Sequence, residues 1–333
     1  MSTAPASPQP LVTALINNFN YSRYLADAID SALAQTYPHV EVVIVDDGST
    51  DDSREVIERY GGRVRPVIKS NGGQGSAFNA GFSVSRGELI ALLDADDRWA
   101  ADKIEKAVAA AAAEPEAGLI IHRVQRVDVE GRPVKAPGPA KLMSGDLRNW
   151  VRRWGCWPQP PTSGLTLRRS FLEQVMPMPE PAYRGHADTY LAVMAGLLTT
   201  VAAVPEVLAR LLIHGDNLAF GEAEAARRQL ASKHLAFIEG HEEAIQQVLA
   251  ERFPGIELSL DNDFRYQTLC RRAGRNVSLA HLMKLGLTKP DEPSLPRRVK
   301  VVAKNLSRWL SRDLRNLTPP VLSTAQEGEA CVF

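Results

Sequence analysis

The sequence predicts an α/β fold, with a mainly parallel sheet flanked by helices and a mostly helical C-terminal extension. Three observations carry that expectation. Short apolar or β-branched runs alternate with helical patterns through the first hundred residues, an order that implies parallel strands covered on both faces. The runs at 11–16, 40–45 and 88–93 each stop at a polar cluster. From about residue 222 strand signals give way to long helical patterns that continue to about residue 317. The expected organisation is a disordered lead at 1–10, a sheet domain at 11–221 and a helical region at 222–333.

In chain order, the strand at 11–16 ends at Asn17-Asn18-Phe19-Asn20, and residues 24–35 place Leu25, Ile29, Ala32 and Leu33 on one helical face. The strand at 40–45 stops at Asp46-Asp47-Gly48-Ser49, and Asp52 with Glu55 has the spacing of a capping box for a helix to about Tyr60. A strand at 64–68 leads into Asn71-Gly72-Gly73-Gln74-Gly75 and a helix at 76–85. The strand at 88–93 runs into Asp94-Ala95-Asp96-Asp97, followed by an alanine-rich helix at 103–113. Further on come strands at 119–127, 162–167 and 207–213, a Pro- and Gly-rich loop at 130–138 and helices near 170 and at 186–197. Ser170 and Glu173 suggest a second capping box.

Composition excludes several classes. Lys plus Arg and Asp plus Glu both total 39, so a nucleic-acid binder with a dominant basic surface is not expected. Cys156, Cys270 and Cys331 show neither metal-ligand spacing nor a disulfide framework, which suits a reducing cytosol. The lead lacks a basic region followed by an apolar stretch, so no signal peptide is expected. The uncharged stretch at 189–205 falls short of the about 20 apolar residues of a membrane span, and Thr199-Thr200 divides it into helix and strand.

Ligands of open parallel sheets bind beyond the carboxyl ends of the strands, where the three polar clusters converge. Asp94-Ala95-Asp96-Asp97 packs three carboxylates that repel one another unless a cation or hydrogen-bond donors compensate. Mg²⁺ or Mn²⁺ bridged to diphosphate oxygens suits them, because such ions take oxygen ligands and keep positions open for phosphate. Read alone, the run serves equally as a solvated turn in which Asp96 or Asp97 caps the next helix. A carboxylate of Asp46-Asp47 can accept a base N–H or a ribose hydroxyl, although Asp and Gly also favour ordinary turns.

In this order and spacing, Val43-Ile44-Val45-Asp46-Asp47-Gly48-Ser49-Thr50-Asp51, then Asn71-Gly72-Gly73-Gln74-Gly75 with Asn79-Ala80-Gly81, then Leu92-Leu93-Asp94-Ala95-Asp96-Asp97 closely resemble the family 2 glycosyltransferases of the GT-A fold, over roughly residues 10–220. The resemblance implies a cytoplasmic active site, a nucleoside-diphosphate sugar donor and inversion at the anomeric carbon. It also implies a carbohydrate or lipid-linked acceptor in polysaccharide or glycolipid assembly. Carried over residue by residue, Asp46 and Asp47 match carboxylates that recognise the base, and Asn18 and Asn20 lie in the segment beside the nucleotide. Asn71 and Asn79 belong to the matched glycine-rich segment on the donor side. Asp94 and Asp96 match the Asp-x-Asp motif, with Asp94 nearer the ribose, Asp96 the leading metal ligand and Asp97 sharing the metal. Asp188 matches the base that takes the acceptor proton, and His214 matches a His near the metal and diphosphate; a helix-terminal carboxylate and a structural His are the plain alternatives. Two departures stand out: Phe78 where many relatives have Arg, and Ala187 where the Glu of a Glu-Asp pair is usual.

Pro161-Thr162-Ser163-Gly164 suits the acceptor side, and Trp154 and Trp157 are either sugar-stacking surfaces or core. Residues 297–312 form a basic amphipathic pattern suited either to peripheral contact with an anionic membrane or to packing with a solvated basic face. A sugar nucleotidyltransferase would carry a basic, glycine-rich phosphate loop where Asn17-Asn18-Phe19-Asn20 stands. A catalytically silent nucleotide-sugar-binding protein of the same fold is the other alternative, kept open by Ala187 and Phe78.

Overall fold

A computed structural model describes residues 9–214, 227–273, 275–288, 295–296, 298–300 and 302–303. The first half of the sheet comes from β1 (Val12–Asn18), β2 (Val40–Asp46), β3 (Arg65–Ile68) and β4 (Leu89–Asp94). They pair in the parallel order β3-β2-β1-β4, crossed by α1 (Ser22–Leu33), α2 (Ser53–Glu58) and α3 (Gln74–Val84). Alternation along the strands builds a core on each face. Leu15, Val43, Val45, Ile90 and Leu92 join Ala77 and Phe78 of α3 on one side. Ala14, Ile16, Val42, Ile44, Ala91 and Leu93 join Leu25 and Ile29 of α1 on the other.

The second half holds β5 (Arg98–Trp99), α4 (Lys103–Ala113), β6 (Ala117–Val127), β7 (Gly145–Asp146), α5 (Arg148–Trp154), β8 (Leu165–Arg168), α6 (Arg169–Val175), α7 (Ala187–Leu198) and β9 (Thr200–Leu212). β8 lies between β4 and β6 and runs antiparallel to both. β6 and β9 are parallel, and the short β5 and β7 pair antiparallel with β9. Because β8 runs against β4, its start reaches the edge where β4 ends. That reversal brings Thr162–Gly164, a 3-10 turn leading into β8, against the Asp94 segment.

Chain packing separates Met1–His214 with Phe237–Leu260 from Gly215–Ala236 with Asp261–Phe333. The boundary expected at 221 therefore gives way to a discontinuous one. Ala244, Ile245, Val248 and Leu249, late in α8 (Arg227–Arg252), join the α7 core, because the helix offers that stripe of apolar residues to it. In the other unit, α9 (Phe264–Ala273) and α10 (Leu279–Thr288) contribute to a small core of Leu235, Cys270, Val277, Leu282 and Val302. No helix among the described residues is long and apolar enough to cross a membrane. Cys331 and most of 297–312 lie outside the described residues.

Several local expectations change. Neither expected capping box forms a side-chain cap: Asp51, not Asp52, accepts the Ser53 N–H at 3.0 Å, and Ser170 sits inside α6. The strand expected at 162–167 begins only at Leu165, and the one expected at 207–213 is the end of a strand that starts at Thr200.

Gly81 sets how closely α3 approaches the sheet: a Cβ there would lie 2.3 Å from Leu15 Cδ1 and 3.0 Å from Val45 Cγ2. Gly81→Ala is expected to destabilise the protein by about 1–3 kcal/mol in urea unfolding through overpacking. Gly62→Ala, where the added atom meets nothing within 4 Å, is the control and should shift stability by less than about 0.5 kcal/mol.

Candidate active site

Parallel register places Asn18 opposite Asp46 and Asn17 opposite Asp94, so the ends of β1, β2 and β4 share one edge. The Asn18 amide donates to Asp46 Oδ1 at 2.9 Å and to Ser49 Oγ at 3.1 Å. Asp46 Oδ2 accepts the Ser49 N–H at 3.3 Å and faces the Arg54 guanidinium at 3.5 Å. Asp47 accepts from Lys69 Nζ at 2.7 Å and from the N–H groups of Gly72 and Gly73 at 3.0 and 2.7 Å. The turn between them needs glycine. Gly48 has φ +80°, and a Cβ would lie 2.6 Å from the Asn71 nitrogen.

The acidic turn follows β4 and is closed by the Asp97 N–H donating to the Asp94 carbonyl at 3.0 Å. Asp97 is buried: Oδ2 accepts the Ser163 hydroxyl at 2.6 Å, and Oδ1 accepts the Leu212 N–H at 3.2 Å. Ser163 Oγ also accepts the Asp94 N–H at 3.2 Å, while the Ser163 carbonyl accepts from Trp99 Nε1 at 3.0 Å. Beneath the indole lies the buried Lys103, its Nζ 4.0 Å from the ring centre and 2.8 Å from Thr166 Oγ1. Since α4 starts at Lys103, neither Asp96 nor Asp97 caps it.

Asp96 Oδ2 lies 3.1 Å from His214 Nε2. The imidazole packs against Tyr24 at 4.6 Å between ring centres and edge-on to Tyr21 at 5.7 Å. Asp188 sits in the first turn of α7, after His186 in the left-handed region at φ +56°, and accepts the Thr189 N–H at 2.9 Å. Burial pushes the Asp94 carboxyl up to about 8, and the charges of Asp96 and Asp188 act in the same direction against hydrogen bonds from Thr162 and Gln74. Burial also raises Asp97 well above the usual carboxylate range, helped by Asp96 and Asp94. Asp188 is raised by burial, against the opposing influence of His186. Carboxyls from β4 and α7 thus share one weakly solvated place.

The remaining expected residues hold the surrounding loops and helices. Asn20, at φ +58°, accepts the Thr50 N–H at 2.7 Å and holds the loop after β2. Asn71 donates to the Asp47 carbonyl at 3.0 Å and accepts from Arg184 at 2.6 Å. Asn79 exchanges hydrogen bonds with the Met178 backbone and donates to Glu180. Phe78 and Trp157 are core. Trp157 donates its indole N–H to the Ala192 carbonyl at 2.9 Å. Gln74, Ser163, Tyr24 and Lys69 form much of the site's framework, and the only advance sign of Ser163 was its place in the segment assigned to the acceptor side.

Among the described residues no three His, Cys, Asp or Glu side chains surround one point. Asp96 Oδ2 and His214 Nε2 are the pair whose donor chemistry suits a divalent ion with other positions left open.

A sheet of this order, with its polar groups gathered on one edge of the parallel half, defines the GT-A class of glycosyltransferases. The family description "Glycosyl transferase family 2" matches residues 13–175. An uncharacterized glycosyltransferase of Nostoc sp. is 37% identical over 262 residues, covering 77% of this chain and 81% of that one. The chain therefore belongs to glycosyltransferase family 2. The chondroitin synthase of Pasteurella multocida is 46% identical over 99 residues, which cover 29% of this chain and 10% of that one. A crystal structure of S. aureus TarS 1–349 in complex with UDP-GlcNAc superposes with a TM-score of 0.54 at 15% identity over 92% of each chain, a likeness of fold.

The raised carboxyl predicts a pH effect of definite sign. Between the ordinary carboxylate value and about 8, folded Asp94 holds a proton that the unfolded chain has lost. Its contribution to stability is full at acid pH and disappears as pH rises through about 8. In EDTA, Asp94→Asn should therefore gain melting temperature relative to wild type on going from pH 6 to pH 9. Buried His122 and His241, pushed down by burial to about 3 and about 4, act oppositely in both proteins and cancel in the comparison.

Proposed function

We propose that the chain transfers a sugar from a nucleoside-diphosphate sugar to an acceptor hydroxyl, with inversion, in polysaccharide or glycolipid assembly. One observation carries this reading: the Gln74 side chain joins Asp94 Oδ1, at 3.3 Å, to the Ala187 N–H, at 2.9 Å, so the first turn of α7, with Asp188, is tied to the end of β4 that carries the acidic turn. Inverting displacement needs a base on one side of the anomeric carbon and a stabilised leaving group on the other. Those demands fall on Asp188 and on the acidic turn.

In the proposed step the acceptor oxygen bonds to the anomeric carbon as the bond from that carbon to the diphosphate breaks. The hydroxyl proton goes to Asp188, and the electron pair leaves with the diphosphate. A carboxyl raised by burial serves as such a base better than an ordinary one, because its value lies nearer the working pH. Asp96 and His214 would hold Mg²⁺ or Mn²⁺, which supplies charge neutralisation for the leaving diphosphate. Asp97, with both oxygens on protein donors, anchors the turn and keeps Asp96 toward His214. Asp46, Asp47 and Asn18 are assigned to the nucleoside, with Asn20 and Asn71 shaping the loops around them and Asn79 bracing α3. The partial likeness to a chondroitin synthase supports a polysaccharide context, and the fold shared with a protein crystallised with UDP-GlcNAc agrees with a nucleotide-sugar donor.

Thermal shift with a panel of UDP- and GDP-sugars should show stabilisation only when Mn²⁺ or Mg²⁺ is present, and Asp96→Ala should remove the metal dependence. Asp188→Asn should bind donor as wild type does while losing transfer by about 10²–10⁴-fold, the usual range for a missing general base. Transfer at the wild-type rate by Asp188→Asn would refute the assignment of the base.

A further inference from the structure

Resting on the reading of Asp188 as base and Asp94 as a donor-side group, we infer that Gln74 is a positioning residue. Its side-chain amide ties Asp94 to the first turn of α7, so that donor side and base are held in one geometry. Nε2 donates toward Asp94 Oδ1 at 3.3 Å and Thr162 Oγ1 at 3.5 Å. Oε1 accepts the Ala187 N–H at 2.9 Å, one residue before Asp188. That N–H belongs to a helix's first turn, where amides have no partner within the helix, and Ala187 is fully buried. One planar group therefore faces a carboxylate with its donor end and a buried helix-start amide with its acceptor end.

The backbone fixes where this amide stands. Gly73 has φ +87°, and a Cβ there would lie 2.5 Å from Arg184 Cα, so the loop passes directly against the segment leading into α7. The Gln74 N–H donates to the Arg184 carbonyl at 2.9 Å, and the Gly75 N–H to the Tyr183 carbonyl at 2.7 Å. Gln74 thus starts α3 in contact with the approach to α7, and its side chain crosses to the end of β4. The chemistry selects glutamine. Glutamate keeps an acceptor for Ala187 but sets a carboxylate against Asp94, and methionine of similar length satisfies neither end. A brace that merely stabilised the fold would have no reason to join these two carboxylate-bearing elements.

The test uses the full chain, a panel of UDP- and GDP-hexoses with Mn²⁺, and release of nucleoside diphosphate with water as acceptor. Gln74→Met should lower kcat by about tenfold or more while KM stays within about threefold, the pattern of an interaction that matters in the transition state. Gln74→Glu, which keeps the Ala187 contact but sets a carboxylate against Asp94, should also lose kcat. In an Asp188→Asn background, Gln74→Met should cost less than about twofold further, because its effect passes through Asp188. A kcat within twofold of wild type for Gln74→Met, or losses that multiply fully with Asp188→Asn, would overturn the inference and leave Gln74 a brace. A wild-type chain that releases no nucleoside diphosphate, or an Asp188→Asn variant as active as wild type, would overturn the transfer reading itself and this inference with it.

Discussion

Like charge gathered at one sheet edge is the condition that the surrounding structure answers. Parallel register leaves Asp46 and Asp94 at the ends of β2 and β4, on either side of β1, and Asp47, Asp96 and Asp97 follow them in the chain. Each is accommodated differently. Asp47 receives an ammonium and two backbone amides, Asp46 a side-chain amide, a backbone amide and a guanidinium, and Asp97 a hydroxyl and a backbone amide. Asp96 meets an imidazole, and Asp94 is left largely to burial and Gln74. The carboxylates with the most complete sets of donors hold loops in place, and the least compensated, Asp94, is the one that burial and its acidic neighbours push up to about 8.

The elements that answer this charge are themselves held from behind. Trp99 fixes the Ser163 carbonyl and Lys103 lies under the indole, with burial holding its amine well below the usual lysine range. A buried amine beside Thr166 and an aromatic face avoids the cost of a fully solvated cation brought indoors. On the opposite flank, Tyr21 and Tyr24 hold the His214 ring against Asp96, so a residue at the end of β9 depends on the start of α1. His186 adopts a left-handed backbone just ahead of Asp188, local strain of the kind kept where a turn must deliver a particular side chain.

The edge itself was legible in the sequence because it is made of local events. Val40–Asp46 and Leu89–Asp94 are runs of apolar residues that stop abruptly at acid, and a parallel sheet turns each stop into a shared position. Gly48, Gly73 and the helix after Gly185 are equally local. What pattern missed spans a long stretch of chain: Gln74 meets Thr162 across 88 positions, whereas His214, 118 positions from Asp96, was placed near it only by the family resemblance. Nothing in the composition of the turn at Asp97 announces that its oxygens face Ser163 and Leu212. Asn79 was placed on the donor side by its motif, yet its amide is engaged by Met178 and Glu180. The cap of α2 differs for a local reason: Asp51 rather than Asp52 accepts the Ser53 amide.

The reversed direction of β8 has a consequence for how such a site can diversify. Only a few residue pairs tie it to β4 and β6, and its start delivers Thr162 and Ser163 to the acidic turn. The chain between β6 and β8 carries β7, which pairs with β9, and buries Val151 and Trp157 in the core beside α7, so it is tied down at more than its two ends. Insertions in its exposed stretch at 129–136 would leave the hydrogen bonds beneath Asp94 and Asp97 in register. A strand set against its parallel neighbours thus delivers a distant stretch of chain to the ends of strands that run the other way.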